Sequence, residues 1–273
     1  MGNFRGGDLS AWVDRTSLTR RGIRVIFEQN FVGDLKMGPF ISFVLFLSAS
    51  AGTSGNPADV PRKFGSMISS LRPFGLEVLE RTEVEVAWRG WRVRARKFGD
   101  ERYGEFQVAL DKATSLGRKV KFGLRLRAVA VDMEGFGRRM GICLDLGLSG
   151  ALSGGWSLGL SAGNPLGSKV GGERLSQDLR MEVSYAGDVK LKAGVEKEVH
   201  FPPIFWAEVA YPAAEGLCLY TGASGQEVWA GVGVSLGRFL LVYRTGYHQA
   251  LGTSQGICLG YGYDLEEVRD LRL

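Results

Sequence analysis

The sequence predicts an all-β protein, an antiparallel up-and-down transmembrane β-barrel of about 12–14 strands. Three observations lead there. From Thr82 onward the chain alternates with a period of two, bulky apolar residues on one parity and charges, serine or glycine on the other. Many alternating runs extend for about nine to eleven residues or longer, the length a tilted transmembrane strand needs, whereas strands of globular proteins run nearer five or six. Tyrosine and tryptophan fall mainly near the ends of these runs, at Trp156, Tyr185, Tyr211, Tyr220, Tyr243, Tyr247, Tyr261 and Tyr263, as interfacial girdles require. Hydrocarbon would also force such a sheet to close, because an open edge leaves backbone groups unpaired at several kcal/mol each.

In chain order, residues 1–36 are polar and basic, with one weak strand-like run at 23–27. Pro39-Phe40-Ile41-Ser42-Phe43-Val44-Leu45-Phe46-Leu47, followed by Ala49-Ser50-Ala51, has the length and the small-x-small ending of a secretory signal. It is too short to cross a bilayer as a helix; the competing reading is a buried strand. Residues 37–51 are therefore expected to be a signal peptide. Residues 1–36 form an extra segment before it, either untranslated ahead of a start at Met37 or an unusually long n-region. Residues 52–81 make a lead-in that begins with the turn Gly55-Asn56-Pro57-Ala58 and contains a short helix or strand within 64–80. The barrel is expected over 82–264 and a charged tail over 265–273.

Within the barrel, Val84, Val86 and Trp88 oppose Glu83 and Glu85, and Trp91, Val93 and Ala95 oppose Arg92, Arg94 and Arg96. Phe106, Val108 and Leu110 form the next run. Residues 118–167 then carry three consecutive strands. Val120, Phe122, Leu124 and Leu126 alternate with Lys119, Lys121, Gly123, Arg125 and Arg127; Met140 to Leu148 alternate with Gly141 to Ser149 through Asp145; Trp156, Leu158 and Leu160 complete the set. A Gly/Ser/charged loop occupies 165–176. Further runs follow from Leu179 to Tyr263, separated by turn chemistry at Ala186-Gly187-Asp188 and Pro202-Pro203.

Composition narrows the function. Glycine is 40 of 273 residues, about twice ordinary usage, as a wall with one small-residue face requires. A mean hydropathy of −0.01 argues against a helical membrane bundle but not against a barrel, whose strands expose half their residues to water. The net charge of +5 is spread along strands rather than gathered in a block, which argues against a nucleic-acid partner. Cys143, Cys218 and Cys258 lack metal-ligand spacing, His200 and His248 lack metal-partner spacing, and Glu83, Glu85 and Glu182 are isolated strand carboxylates for which the sequence places no catalytic partner. No metal, cofactor or enzymatic activity is expected.

If the apolar parity faces lipid, the other parity lines a lumen. The lumen-facing candidates are Arg92, Arg94, Arg96, Lys119, Lys121, Arg125, Arg127 and Asp145. Two readings stay open for them. Water filling a cationic lumen would favour anions; alternatively, carboxylates such as Asp145, Glu182 and Glu196 compensate the charge.

The C-terminal third resembles the closing hairpin of the PorV/PorQ-type outer-membrane barrels, relatives of the FadL-like transport barrels. The matching positions are Tyr243, His248, Leu251, Gly252, Ile257 and Leu259; Val242 stands where the family often has Asp, and Gln255 where it often has His. Asp145-x-Gly147, Leu158 to Asn164, and the Asn56-Pro57-Ala58 triplet look like further family motifs. The glycine-rich segment that members carry before Asn-Pro-Ala is largely missing, which implies an incomplete luminal plug. The resemblance implies the outer membrane of a Gram-negative-type bacterium. Its partners would be the lipid bilayer and either hydrophobic small molecules or a secretion-system partner. The alternative is a secreted or periplasmic β-sheet protein acting as a binding module.

Overall fold

The alternation closes on itself. In the computed structural model, which describes residues 55–263 except Gln226, fourteen antiparallel strands form a closed barrel. The extra segment 1–36, the signal-like run 37–51 and the tail 265–273 lie outside the described residues. The wall begins with β1 (Gly65–Arg72), β2 (Arg81–Trp88), β3 (Trp91–Gly99) and β4 (Tyr103–Leu116). It continues with β5 (Val120–Met133), β6 (Gly137–Ala151) and β7 (Trp156–Gly163), the three long strands of the central meander. A small hairpin, β8 (Lys169–Val170) and β9 (Glu173–Arg174), stands apart from the wall in the next connection. The wall resumes with β10 (Asp178–Ala186), β11 (Lys190–Glu198), β12 (Ile204–Ala214) and β13 (Leu217–Ser224). It ends with β14 (Glu227–Leu236), β15 (Phe239–His248) and β16 (Gly252–Tyr261). β16 pairs with β1 from Ser66↔Tyr261 to Arg72↔Gln255, so no edge is left for the bilayer.

The barrel starts earlier than Thr82. β1 lies in the lead-in and escapes the alternation pattern because its parity is inverted: Leu71 is buried inside while serines occupy both faces. Two 3-10 turns, Pro73–Gly75 and Glu77–Leu79, fill the rest of the segment.

The two ends differ. At one end the connections 89–90, 117–119, 152–155, 187–189, 215–216 and 237–238 are all short. The other end carries the long ones, 73–80 and 164–177. Outer-membrane barrels place short turns in the periplasm and longer loops outside.

The outward parity is apolar along most of the wall. Met140 and Ile142 are 68% and 63% exposed, and Val84, Val93, Phe106, Val108, Leu124 and Leu126 are exposed with them. A continuous band of this size is a lipid-facing surface. At its short-turn edge Trp156 packs on Tyr185 with ring centroids 5.0 Å apart, and Phe239 on Tyr261 at 5.3 Å. Tyr220 and Tyr263 do not join this girdle. Both are buried inside: Tyr220 shares the inward parity of Cys218, and Tyr263 packs in the same cluster with its hydroxyl on Glu85.

Candidate functional site in the barrel lumen

Inward parity brings the charges of β2 to β6 onto one patch of the lumen. The register sets Arg92 opposite Asp111, Asp111 opposite Arg125, and Arg125 opposite Asp145, so cation and anion alternate around the wall. Asp111 is completely buried. It accepts from Arg92 Nη2 at 2.6 Å, Arg94 Nη2 at 3.0 Å and Arg125 Nε at 2.8 Å. Asp145 accepts from Arg127 Nη2 at 2.8 Å and lies 3.6 Å from Arg125 Nη1. Arg96 pairs with Glu83 at 2.8 Å, and Glu85 stands 3.9 Å from both Arg92 and Arg94. Charges this far from water are tolerable only when paired and hydrogen-bonded.

A segment of the lead-in docks on that network. Arg125 Nη2 donates to the Gly55 carbonyl at 3.0 Å. Asn56 Nδ2 donates to the carbonyls of Leu148 at 2.7 Å and Leu160 at 3.1 Å, which face each other across β6 and β7. Its Oδ1 accepts from the Ala58 N–H at 2.9 Å, an Asx turn that compacts the segment. The wall makes room with glycine. A methyl on Gly123 would overlap the Pro57 backbone, and one on Gly147 would overlap Asn56 and Pro57. Residues 55–58 are all buried, so Asn56 and Pro57 form a short luminal plug.

The long connection 164–177 covers the same sector from the other end. Asn164 adopts a left-handed backbone (φ 47°) and is fully buried. Its N–H donates to Asp145 Oδ1 at 3.0 Å, its Nδ2 to the Leu175 carbonyl at 3.0 Å, and its Oδ1 accepts from the Ser168 N–H at 2.8 Å. Val170 of the small hairpin packs into the wall at Gly141, and Ser176 bonds Glu198. Asp145 thus ties the lid to the arginines that hold the plug. Between the lid, Arg127 and Asp178 a cavity of about 20 Å³ remains, room for one water.

The opposite side of the lumen is built differently. Ala87, Ala210, Cys218, Tyr220, Leu240, Val242, Cys258 and Tyr263 form an apolar cluster toward the short-turn end. Nearer the long-loop end Arg180 lies over the Trp206 ring at 5.0 Å and Arg244 over Trp229 at 4.6 Å. Trp229 Nε1 donates to Glu208 at 3.1 Å, which also meets Arg244 at 3.3 Å. Tyr263 spans the two sides, its hydroxyl donating to Glu85 at 2.6 Å.

Of the lumen-facing candidates, Arg92, Arg94, Arg96, Arg125, Arg127 and Asp145 converge as their parity requires. Lys119 and Lys121 do not: Lys119 sits in the β4–β5 turn and Lys121 at the barrel mouth, both exposed. Of the two readings left open for these charges, the ion pairs favour compensation, with Asp111, Glu83, Glu85 and Asp145 set against the arginines. Asp111 is the residue that sequence reading missed; its one signal was its place on the inward parity of Gln107 and Ala109. Of the family-motif positions, Tyr243 faces outward and His248 lies at the long-loop rim, edge-on to Phe74 at 6.0 Å and accepting from the Ala250 N–H at 3.2 Å. Leu251 closes that turn before Gly252 opens β16. Among the described residues no group of His, Cys, Asp and Glu side chains is arranged to hold a metal ion.

No family model matches the chain, and no curated protein matches it in sequence. Solved structures do resemble it. The toluene transporter TbuX of Ralstonia pickettii superposes with a TM-score of 0.51 at 9% identity, over 80% of this chain and 94% of the transporter. A deltaS2S3 mutant of the monoaromatic hydrocarbon channel TodX gives 0.50 at 10% identity, over 76% and 92%. At such identities the likeness is one of fold. Together with the closed wall and its apolar outer band, it places the chain among the outer-membrane β-barrels.

Proposed function

We propose that this barrel carries small apolar or aromatic solutes across the outer membrane. The observation that carries the reading is the filling of the lumen. The plug at Gly55–Ala58, the arginine–carboxylate network and the 164–177 lid occupy the sector that a water-filled pore would use. A hydrated sugar or ion needs a continuous wet path, whereas a small apolar solute needs only transient separation of side chains along the Trp206, Trp229 and Tyr220 side. Likeness in fold to barrels described as toluene and monoaromatic hydrocarbon channels agrees with that preference. The PorV/PorQ-type motif at Tyr243, His248, Leu251 and Gly252 fits the same FadL-like group. The secretion role that this resemblance also implies has no feature of the lumen in its favour.

Proteoliposomes test the reading. Entry of a labelled monoaromatic hydrocarbon should depend on the barrel, while a labelled disaccharide should enter no faster than in empty vesicles. Barrel-dependent entry of the disaccharide with no effect on the hydrocarbon overturns it.

A further inference from the structure

Lys119 and Lys121, which the lumen does not use, belong to a second charged region. Seven cations fall in the stretches 59–63, 88–91 and 112–121, where Asp59 is the only carboxylate. The fold joins these stretches at the short-turn end. The Arg89 N–H donates to the Arg62 carbonyl at 3.2 Å, the Gly90 N–H to Pro61 at 3.1 Å, and the Ala113 N–H to Gly90 at 2.9 Å. Arg62 Nη2 donates to Ser115 Oγ at 2.6 Å. Arg62, Arg89, Arg118, Lys119 and Lys121 are all exposed. The bias is local: the remaining short turns, 152–155, 187–189, 215–216 and 237–238, hold one cation, Arg238, and two carboxylates, Asp188 and Glu215.

The same sector carries the aromatic signature of a membrane interface. Trp88 and Trp91 face each other across the β2–β3 hairpin and point out of the wall, 53% and 42% exposed. Arg89 lies over the Trp88 ring at 4.8 Å and Lys112 over the Trp91 ring at 4.3 Å. Cations held against interfacial tryptophans sit at headgroup depth. Arg89 and Gly90 both have positive φ, 52° and 77°, the two-residue hairpin turn whose first central position favours Asn, Asp or Gly. An arginine there strains the backbone and holds a guanidinium at the tip of the turn. Above the cations Val86, Val93 and Leu110 continue the lipid-facing wall.

We propose that this sector, Arg62 to Arg89 to Lys121, docks the phosphate headgroups of anionic phospholipids in the leaflet around the short-turn end. Arginine offers a forked donor to phosphate and lysine a point charge, and the acyl chains lie along the apolar wall. The proposal rests on the membrane placement of the barrel and not on what it transports.

The test uses the full chain reconstituted into nanodiscs of phosphatidylcholine mixed with phosphatidylglycerol, with retained lipids read by native mass spectrometry. The wild type should retain phosphatidylglycerol above its bulk fraction. The combined variant Arg89→Asn, Arg118→Gln, Lys119→Gln, Lys121→Gln should lose roughly tenfold or more of that preference, whereas Arg238→Gln on the far side should keep it. Heat-modifiable migration reports the folded barrel in each sample. A heat-modifiable wild type that shows no enrichment, or a variant that keeps it, overturns the lipid site alone. A wild type that is recovered without detergent and shows no heat-modifiable band overturns the membrane placement.

Discussion

The two sides of the lumen use opposite means to fill the same kind of space. From β2 to β6 the inward positions are arginines and carboxylates in register, bridged to the plug through Gly55 and Asn56 and to the lid through Asn164. From β12 to β16 the inward positions toward the short-turn end are small or apolar, Ala210, Cys218, Leu240, Val242 and Cys258, packed against Tyr220 and Tyr263, while Glu208 and Arg244 pair beside Trp229 nearer the long loops. The ionic side is directional: each group has a fixed partner, so a single loss propagates. The apolar cluster is non-directional and can open locally without separating the Arg244–Glu208 pair that lies nearer the long loops. That difference assigns closure to one side and the proposed passage of apolar solutes to the other.

The largest expected effect tests the ionic side. Asp111→Asn leaves Arg92, Arg94 and Arg125 buried against a neutral amide, and breaking such a network costs about 3–5 kcal/mol. Urea unfolding in detergent should show the loss, and a change within error would mean that water already screens these charges. Next, Leu240→Ala on the apolar side removes a side chain that is 2% exposed and should cost about 2–4 kcal/mol by the same assay. It should leave the plug seated, as limited proteolysis near Gly55 would report. Asn56→Ala gives up two hydrogen bonds to the wall, about 1–2 kcal/mol, and should release the plug without lowering barrel stability by more than that. Tyr263→Phe is the smallest change, about 1 kcal/mol, because it removes the hydroxyl that donates to Glu85 across the two sides. A larger loss there would show that the two sides are coupled more tightly than one hydroxyl explains.

Much of the wall was legible in the sequence. Val84, Val93, Leu124 and Ile142 carry a period of two over strands long enough to cross lipid, and burial in hydrocarbon leaves them one face to occupy. The six convergent lumen residues followed from the same parity. Their partners did not, because pairing depends on register: Arg125 meets both Asp111 and Asp145 only through the β4–β5–β6 alignment, which no local pattern encodes. β1 was hidden because Ser66, Ser69 and Ser70 suit either face. Lys119 and Lys121 had the right parity and the wrong height. A strand's alternation says which way a side chain points and nothing about where the lumen ends.

Ion conductance in a planar bilayer tests the closed ionic side most directly. The wild type should give no steady open-channel current. Gly147→Val, whose side chain would occupy the position of Asn56 and Pro57 while leaving the wall's hydrogen bonds intact, should displace the plug and produce one. A wild-type barrel that holds a stable, anion-selective open current would contradict this account, because the arginines would then be lining water instead of holding the plug and the lid.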